Sequence, residues 1–303
     1  MEHNYSYQAV LEAQERVSWR VEDLIGDDKP LDFSKRFLPE ALARVDGLHF
    51  LSDEEKVQLN QIRGNGYLHT FGLVEEFILP FVMDHARPHL DGDDYRTRAF
   101  LEFAAEEAKH IHLFKRFAEE FKKGFPVECG VIGPADEISR AVLAHHPLAV
   151  AMVVLHIEWM TQAHYVAGVK DNQSLDSQFA NLLKHHWMEE VQHAKLDTMM
   201  VMSLADACTA EEIDRAFEDY MSIGTLLDNG LAAQMEMDIE ALRQISGRRL
   251  SDAEEATYCL VQQQALRWTY LGSGMTHPNF LATVEGVKAG AKAKFAEISP
   301  GFC

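Results

Sequence analysis

The thirteen residues from His185 to Asp197, "HHWMEEVQHAKLD", contain three imidazoles and three carboxylates. Glu190 and His193 are spaced Glu-x-x-His, and the same spacing recurs at Glu107 and His110 in "AAEEAKHIH". Residues three apart lie on one face of a helix, so each pair can direct a carboxylate and an imidazole at the same metal ion. In a chain with 15 histidines and 48 acidic residues, one such match is expected by chance, and its ordinary reading is an ion pair. The surroundings of Glu107 argue otherwise. Phe100, Phe103, Ala104, Ile111, Phe114 and Phe117 share its predicted face, which places Glu107 and His110 inside an apolar stripe. A carboxylate there requires a cationic partner, a proton or a metal.

A dinuclear site inside a helix bundle needs one further carboxylate from each of two other helices. Ahead of the second pair, Glu158 is the single acid in "AVAMVVLHIEWMTQAHY". Ahead of the first, Glu75 and Glu76 compete. Glu75 shares a face with Leu68, Phe71, Ile78, Leu79 and Val82, whereas Glu76 points toward His69 and Met83. Spacing agrees: 32 residues separate Glu75 from Glu107 and also Glu158 from Glu190. The chain therefore reads as two helix pairs offset by 83 residues, each giving Glu and then Glu-x-x-His.

The repeat fails at His186. It lies four residues before Glu190 on the same face, and its counterpart in the first half is Phe103. Ligation by His186 would make the two ions inequivalent; otherwise it is a core residue or a hydrogen-bond donor to a ligand. Asp197, four beyond His193, either orients a ligand histidine across the bundle or is a plain surface aspartate. Tyr165, seven after Glu158, lines the site or simply packs. Trp159 and Trp187 are read as core, and His185 as facing solvent. Four carboxylates balance two divalent ions, and mixed oxygen and imidazole donors suit iron or manganese better than copper(I) or structural zinc, with iron the first choice.

These residues need long helices to carry them. Apolar residues recur at three and four throughout, and alternating β-branched runs are scarce, so the fold class is all-α. The spacing predicts a helix near Tyr7–Ile25 and a connector from Gly26 to Leu51. Ser52 and Glu55 form a capping-box start, followed by a break near "RGNG" and a long helix over Tyr67–His85. Further helices are expected over Asp93–Lys123, Pro147–Val169 and Leu175–Ala205, with more opening at "TAEEIDRAF", "LSDAEEATY" and "HPNFLATVEG". No linker interrupts the chain, so residues 1–303 read as one domain, with metal-binding helices over about 60–205 and additional helices over 209–298.

A formal charge of -20 and the lack of a basic cluster argue against nucleic acid as a partner. Four widely separated cysteines and no apolar run long enough to span a membrane fit a cytoplasmic protein without a membrane partner.

The constellation Glu75, Glu107-x-x-His110, Glu158 and His186-x-x-x-Glu190-x-x-His193 resembles the ferritin-like diiron carboxylate superfamily, and His186 makes it similar to the p-aminobenzoate N-oxygenase (AurF-like) branch. The resemblance implies a ferritin-like four-helix bundle core with additional helices at both ends. It also implies two iron ions with dioxygen as co-substrate, an external electron donor, possible homodimerisation, and oxidation of a small, aromatic amine to hydroxylamine, nitroso or nitro products. An anionic aromatic substrate would need a local cation, for which Arg267 in "QQQALRWTY" is the candidate, unless it is merely surface-exposed. Competing readings are an iron-oxidising storage protein, a dimanganese or radical-generating oxidase using Tyr165, and a metal-free helical interaction protein. Residues 206–303, beyond the metal helices, favour a covered substrate pocket over storage.

Overall fold

The computed structural model describes residues 4–26 and 28–303. Among these residues there are helices and no strands, in agreement with the all-α expectation. The helices are α1 (Tyr7–Gln14), α2 (Val21–Leu24), α3 (Glu40–Ala43), α4 (Asp53–Ala86), α5 (Asp94–Gly124), α6 (Ala135–Leu143), α7 (Pro147–His164), α8 (Ser177–Asp206), α9 (Ala210–Ser246), α10 (Asp252–Arg267), α11 (Ser273–Met275), α12 (Pro278–Val287) and α13 (Ala291–Ile298). Two π-helical turns, Tyr165–Val169 and Trp268–Gly272, continue α7 and α10.

Helix α4 lies along α5 and α7 along α8; the two hairpins meet where α5 touches α8, and α9 packs against both α4 and α7. The four helices expected to carry the site thus form the bundle core, with α1 added across α5 and α8. Helix α7 shows why a chain can place a charge at the centre. Every residue from Leu148 to Gln162 is buried, so the helix is apolar on all sides and Glu158 has no route to solvent.

Three departures from the sequence reading have physical causes. The predicted helix over Tyr7–Ile25 is two pieces, because the backbone opens after α1 and lays Trp19 parallel to the His110 ring, 6.1 Å between centroids. The expected break at "RGNG" does not occur, and α4 runs unbroken through Gly64, Gly66 and Pro80. At Gly64 a Cβ atom would come within 3.0 Å of Phe37 Cβ, so the glycine admits a close neighbour instead of ending the helix. Finally, α6 lies between the helices expected over Asp93–Lys123 and Pro147–Val169, where none was predicted. The capping box is as expected: Ser52 Oγ accepts from the Glu55 amide and Glu55 Oε2 accepts from the Ser52 amide. All four cysteines are free thiols.

Candidate metal centre

All seven predicted ligand residues are buried at the middle of the bundle, none more than 3% exposed. Glu190 occupies the centre. Its Oε1 lies 2.6 Å from His186 Nε2 and 3.2 Å from His110 Nδ1, while its Oε2 lies 3.0 Å from His193 Nδ1. On the first side, Glu75 Oε1 stands 3.1 Å from His186 Nε2. On the second, Glu107 Oε1 stands 2.9 Å from His193 Nδ1. Two groups of four potential ligands result, Glu75–His110–His186–Glu190 and Glu107–His110–Glu190–His193, each with its donor atoms within 4.8 Å of one another. Glu190 and His110 belong to both groups; the two oxygens of Glu190 could serve a pair of ions, whereas His110, with only Nδ1 turned inward, would serve one of them.

Glu158 touches the cluster at its edge. It hydrogen-bonds Glu190 and lies outside both groups of four. Of the two competing glutamates, Glu75 is buried in the cluster, whereas Glu76 is partly exposed and pairs with Lys115 at 2.8 Å. Phe103, in the position that mirrors His186, stacks on His193 with ring centroids 3.9 Å apart.

Several polar atoms here are not satisfied by the protein. Neither oxygen of Glu107 accepts a properly aimed hydrogen bond, nor do Glu75 Oε2 and Glu158 Oε2, and the short approaches of His186 Nε2 and His110 Nδ1 to Glu190 Oε1 are not aimed as hydrogen bonds either. Native proteins rarely leave such groups orphaned, because the desolvation cost is not recovered. Charge tells the same story. Burial pulls the His110 imidazole down, but Glu189, Glu190 and Glu75 outweigh it and hold it at about 9. His193 is likewise raised against its own burial, chiefly by Glu190 and Glu106. Burial and the neighbouring Glu190 push Glu158 well above the usual carboxylate range. The cluster demands positive charge, and two divalent ions coordinated by inward-facing carboxylate and imidazole atoms meet that demand. The residues fit a dinuclear metal site.

The sequence reading missed two residues that hold the histidines in place. His110 Nε2 lies 2.8 Å from Glu189 Oε2, and His193 Nε2 lies 2.9 Å from Glu106 Oε2. Each motif is in fact Glu-Glu-x-x-His, and the first glutamate of one braces the histidine of the other. These bonds turn both Nδ1 atoms inward, as carboxylates beside ligand histidines do at metal sites. Gln14 of α1 donates to Glu106, and Lys109 donates to Glu189. The repeated doublet, offset by the same 83 residues, was the available signal.

Several expectations need correction. Asp197 is fully buried, not a surface aspartate, and neither of its oxygens bonds a ligand histidine; Glu106 and Glu189 do that instead. Burial pushes Asp197 well above the ordinary aspartate range. His185 is half-buried, its ring edge-on to Trp19 at 5.6 Å, because the segment after α1 covers it. Arg267 is held by Asp228 through two bonds of 2.7 and 2.6 Å, so its charge is already neutralised. Tyr165 stacks on Trp187 at 4.4 Å and lines a small cavity together with His186. Tyr67 lines that cavity too and lies close enough to Glu75 and Glu190 to feel their charge.

No family model matches the chain, and no curated protein matches its sequence. Among solved structures, it is similar to variants of an R2-like ligand-binding oxidase. One with an anaerobically reconstituted Mn/Fe cofactor has 13% identity over 88% of this chain and 93% of that one, with a TM-score of 0.47. Another, with an aerobically reconstituted Mn/Fe cofactor, has 13% identity over 88% and 94%, with a TM-score of 0.46. A third, with an aerobically reconstituted Fe/Fe cofactor, has 13% identity over 87% and 93%, with a TM-score of 0.44. Among the described residues, no helix is long and apolar enough to cross a membrane.

Proposed function

We propose that this chain is a dinuclear iron oxygenase that uses dioxygen to oxidise the nitrogen of a small amine. The observation carrying this reading is the pair of buried four-donor groups sharing Glu190 and His110, built from carboxylates and imidazoles in which Glu75 Oε2, both Glu107 oxygens, Glu190 Oε1 and His110 Nδ1 make no hydrogen bond. Oxygen-rich donor sets with imidazole favour iron, and manganese in one position is compatible with the same atoms. A bound iron pair supplies the activation of dioxygen that side chains cannot perform.

The chain's own residues hold the site. Glu106 and Glu189 fix the two motif histidines. His186 adds a third imidazole to the cluster, beside Glu75, and three imidazoles that each face inward with one nitrogen would not divide equally between two ions; this feature supports the N-oxygenase reading over a symmetric site. Phe71 and Phe114 stand edge-on to His186, with centroids 5.6 and 5.0 Å away, and Phe103 covers His193, which keeps bulk water from the donors. Conversion of an amine to a hydroxylamine inserts one oxygen atom of dioxygen into an N–H bond. The other oxygen leaves as water with two protons and two electrons, so the reading requires an external electron donor.

The direct test is to load the full chain with ferrous iron, add reductant, dioxygen and a panel of arylamines, and identify products by mass spectrometry. Two irons per chain and hydroxylamine, nitroso or nitro products are expected. Iron uptake with no N-oxidised product from the panel would reduce the reading to an oxidase of another substrate. Failure to bind iron would remove it altogether.

A further inference from the structure

A cavity of about 270 Å³ lies between α4, α7 and α9, with Tyr270 of the second π-helical turn in its wall. Its walls include Phe71, Val74, Ile157, Met160, Leu231 and Tyr270. Val74 and Ile157 directly precede Glu75 and Glu158, and Phe71 lies one turn before Glu75. The Phe71 ring stands between the cavity and the site, with its centroid 5.6 Å from that of His186 and 6.1 Å from that of Tyr270.

The cavity contains no charged lining residue among those described. Of its polar side chains, Thr70 and Tyr270 hydrogen-bond each other, and Asn229 sits on the exposed side of α9. The adjacent Arg267 is already paired with Asp228. By contrast, the larger cavity between α4 and α5, about 480 Å³, is rimmed by Glu76, Lys115, Glu119, Lys122 and Glu128. A carboxylate or ammonium entering the inner cavity would lose its water and gain no counter-charge, whereas an apolar ring would lose nothing.

We infer that the inner cavity is the substrate site and that it selects an uncharged, mainly apolar molecule of one or two rings. This inference rests on the proposed oxygenase reading and narrows it. Arylamines are neutral at pH 7 and are accepted; alkylamines carry a proton and are refused, as are arylamines bearing a carboxylate. Phe71 is the wall that sets how closely the bound ring approaches the metal site.

Calorimetric titration of the full chain, metal-free and iron-loaded, with 2-naphthylamine, 4-aminobenzoate and benzylamine tests this. The neutral arylamine is expected to bind at least tenfold more tightly than either charged compound in both forms. Leu231→Trp, which fills the cavity, should weaken it at least tenfold with iron content unchanged. Ile157→Phe gives the same test should Leu231→Trp fail to fold, and Val74→Arg should reverse the preference toward 4-aminobenzoate. Equal affinity for a charged compound, no binding of the neutral one, or indifference to both cavity-filling changes would overturn the inference. Iron analysis separates the two claims: charge selectivity without iron uptake sinks the oxygenase reading alone, and iron uptake without selectivity sinks this one alone.

Discussion

Glu106 and Glu189 are one residue from cluster carboxylates, yet their side chains face away from the centre and grip the outer nitrogen of a histidine. Replacing either with Gln removes the charge that orients the ring while leaving the packing nearly intact. Metal affinity is expected to fall about 10–100-fold with little loss of fold, measurable by competition against a chelator. The shared position of Glu190 gives a sharper expectation. Glu190→Ala should abolish both equivalents of bound metal, whereas Glu75→Ala should cost one, because Glu75 belongs to a single donor group; equal losses in metal analysis would contradict the idea that Glu190 serves both positions. At this scale the sequence was legible where periodicity and repeat reinforced each other, as at Glu75, Glu107 and Glu190. It was less legible for Asp197, because spacing along one helix cannot reveal whether a neighbouring helix covers that face. Glu106 and Glu189 were passed over because their partners lie on the opposite hairpin, 87 and 79 residues away in sequence.

At the scale of the element, α4 shows how contacts override propensity. Glycines at 64 and 66 suggested a break, but both are buried inside one continuous helix. Their substitution should separate the two roles a helical glycine can play. Gly64→Ala drives a methyl group into Phe37 and is expected to destabilise by about 1–3 kcal/mol. Gly66→Ala meets only Gln234, with nothing nearer than 3.6 Å, and should be neutral or stabilise by up to about 1 kcal/mol through helix propensity. Urea denaturation of both variants checks the pair; an equal effect would mean that Phe37 yields easily. The ends of α5 and α8 were readable because caps and apolar faces coincide there. The split between α1 and α2 was not, since it arises from Trp19 covering His110, a contact between segments far apart in the chain.

At the scale of the whole molecule, acid sensitivity follows from a histidine sealed between the end of α7 and Ser273 at the start of α11. Burial holds His164 at about 3, with its Nε2 3.0 Å from Ser273 Oγ. The unfolded chain takes up a proton at this residue near pH 6.5 and the folded chain does not. The contribution is therefore complete above that pH and is lost as pH falls toward 3, with a slope of up to about 1.4 kcal/mol per pH unit. His164→Gln should flatten urea stability between pH 7 and pH 5 relative to the parent; an unchanged slope would assign the acid sensitivity elsewhere. The crossed bracing of Glu106 to His193 and Glu189 to His110 also has a consequence for assembly of the centre. Neither hairpin carries a finished coordination shell, since each imidazole takes its orientation from the opposite one. An ion held by both hairpins would steady the imidazoles that the other position needs, so a metal titration should be sigmoidal, with the second equivalent entering more readily than the first.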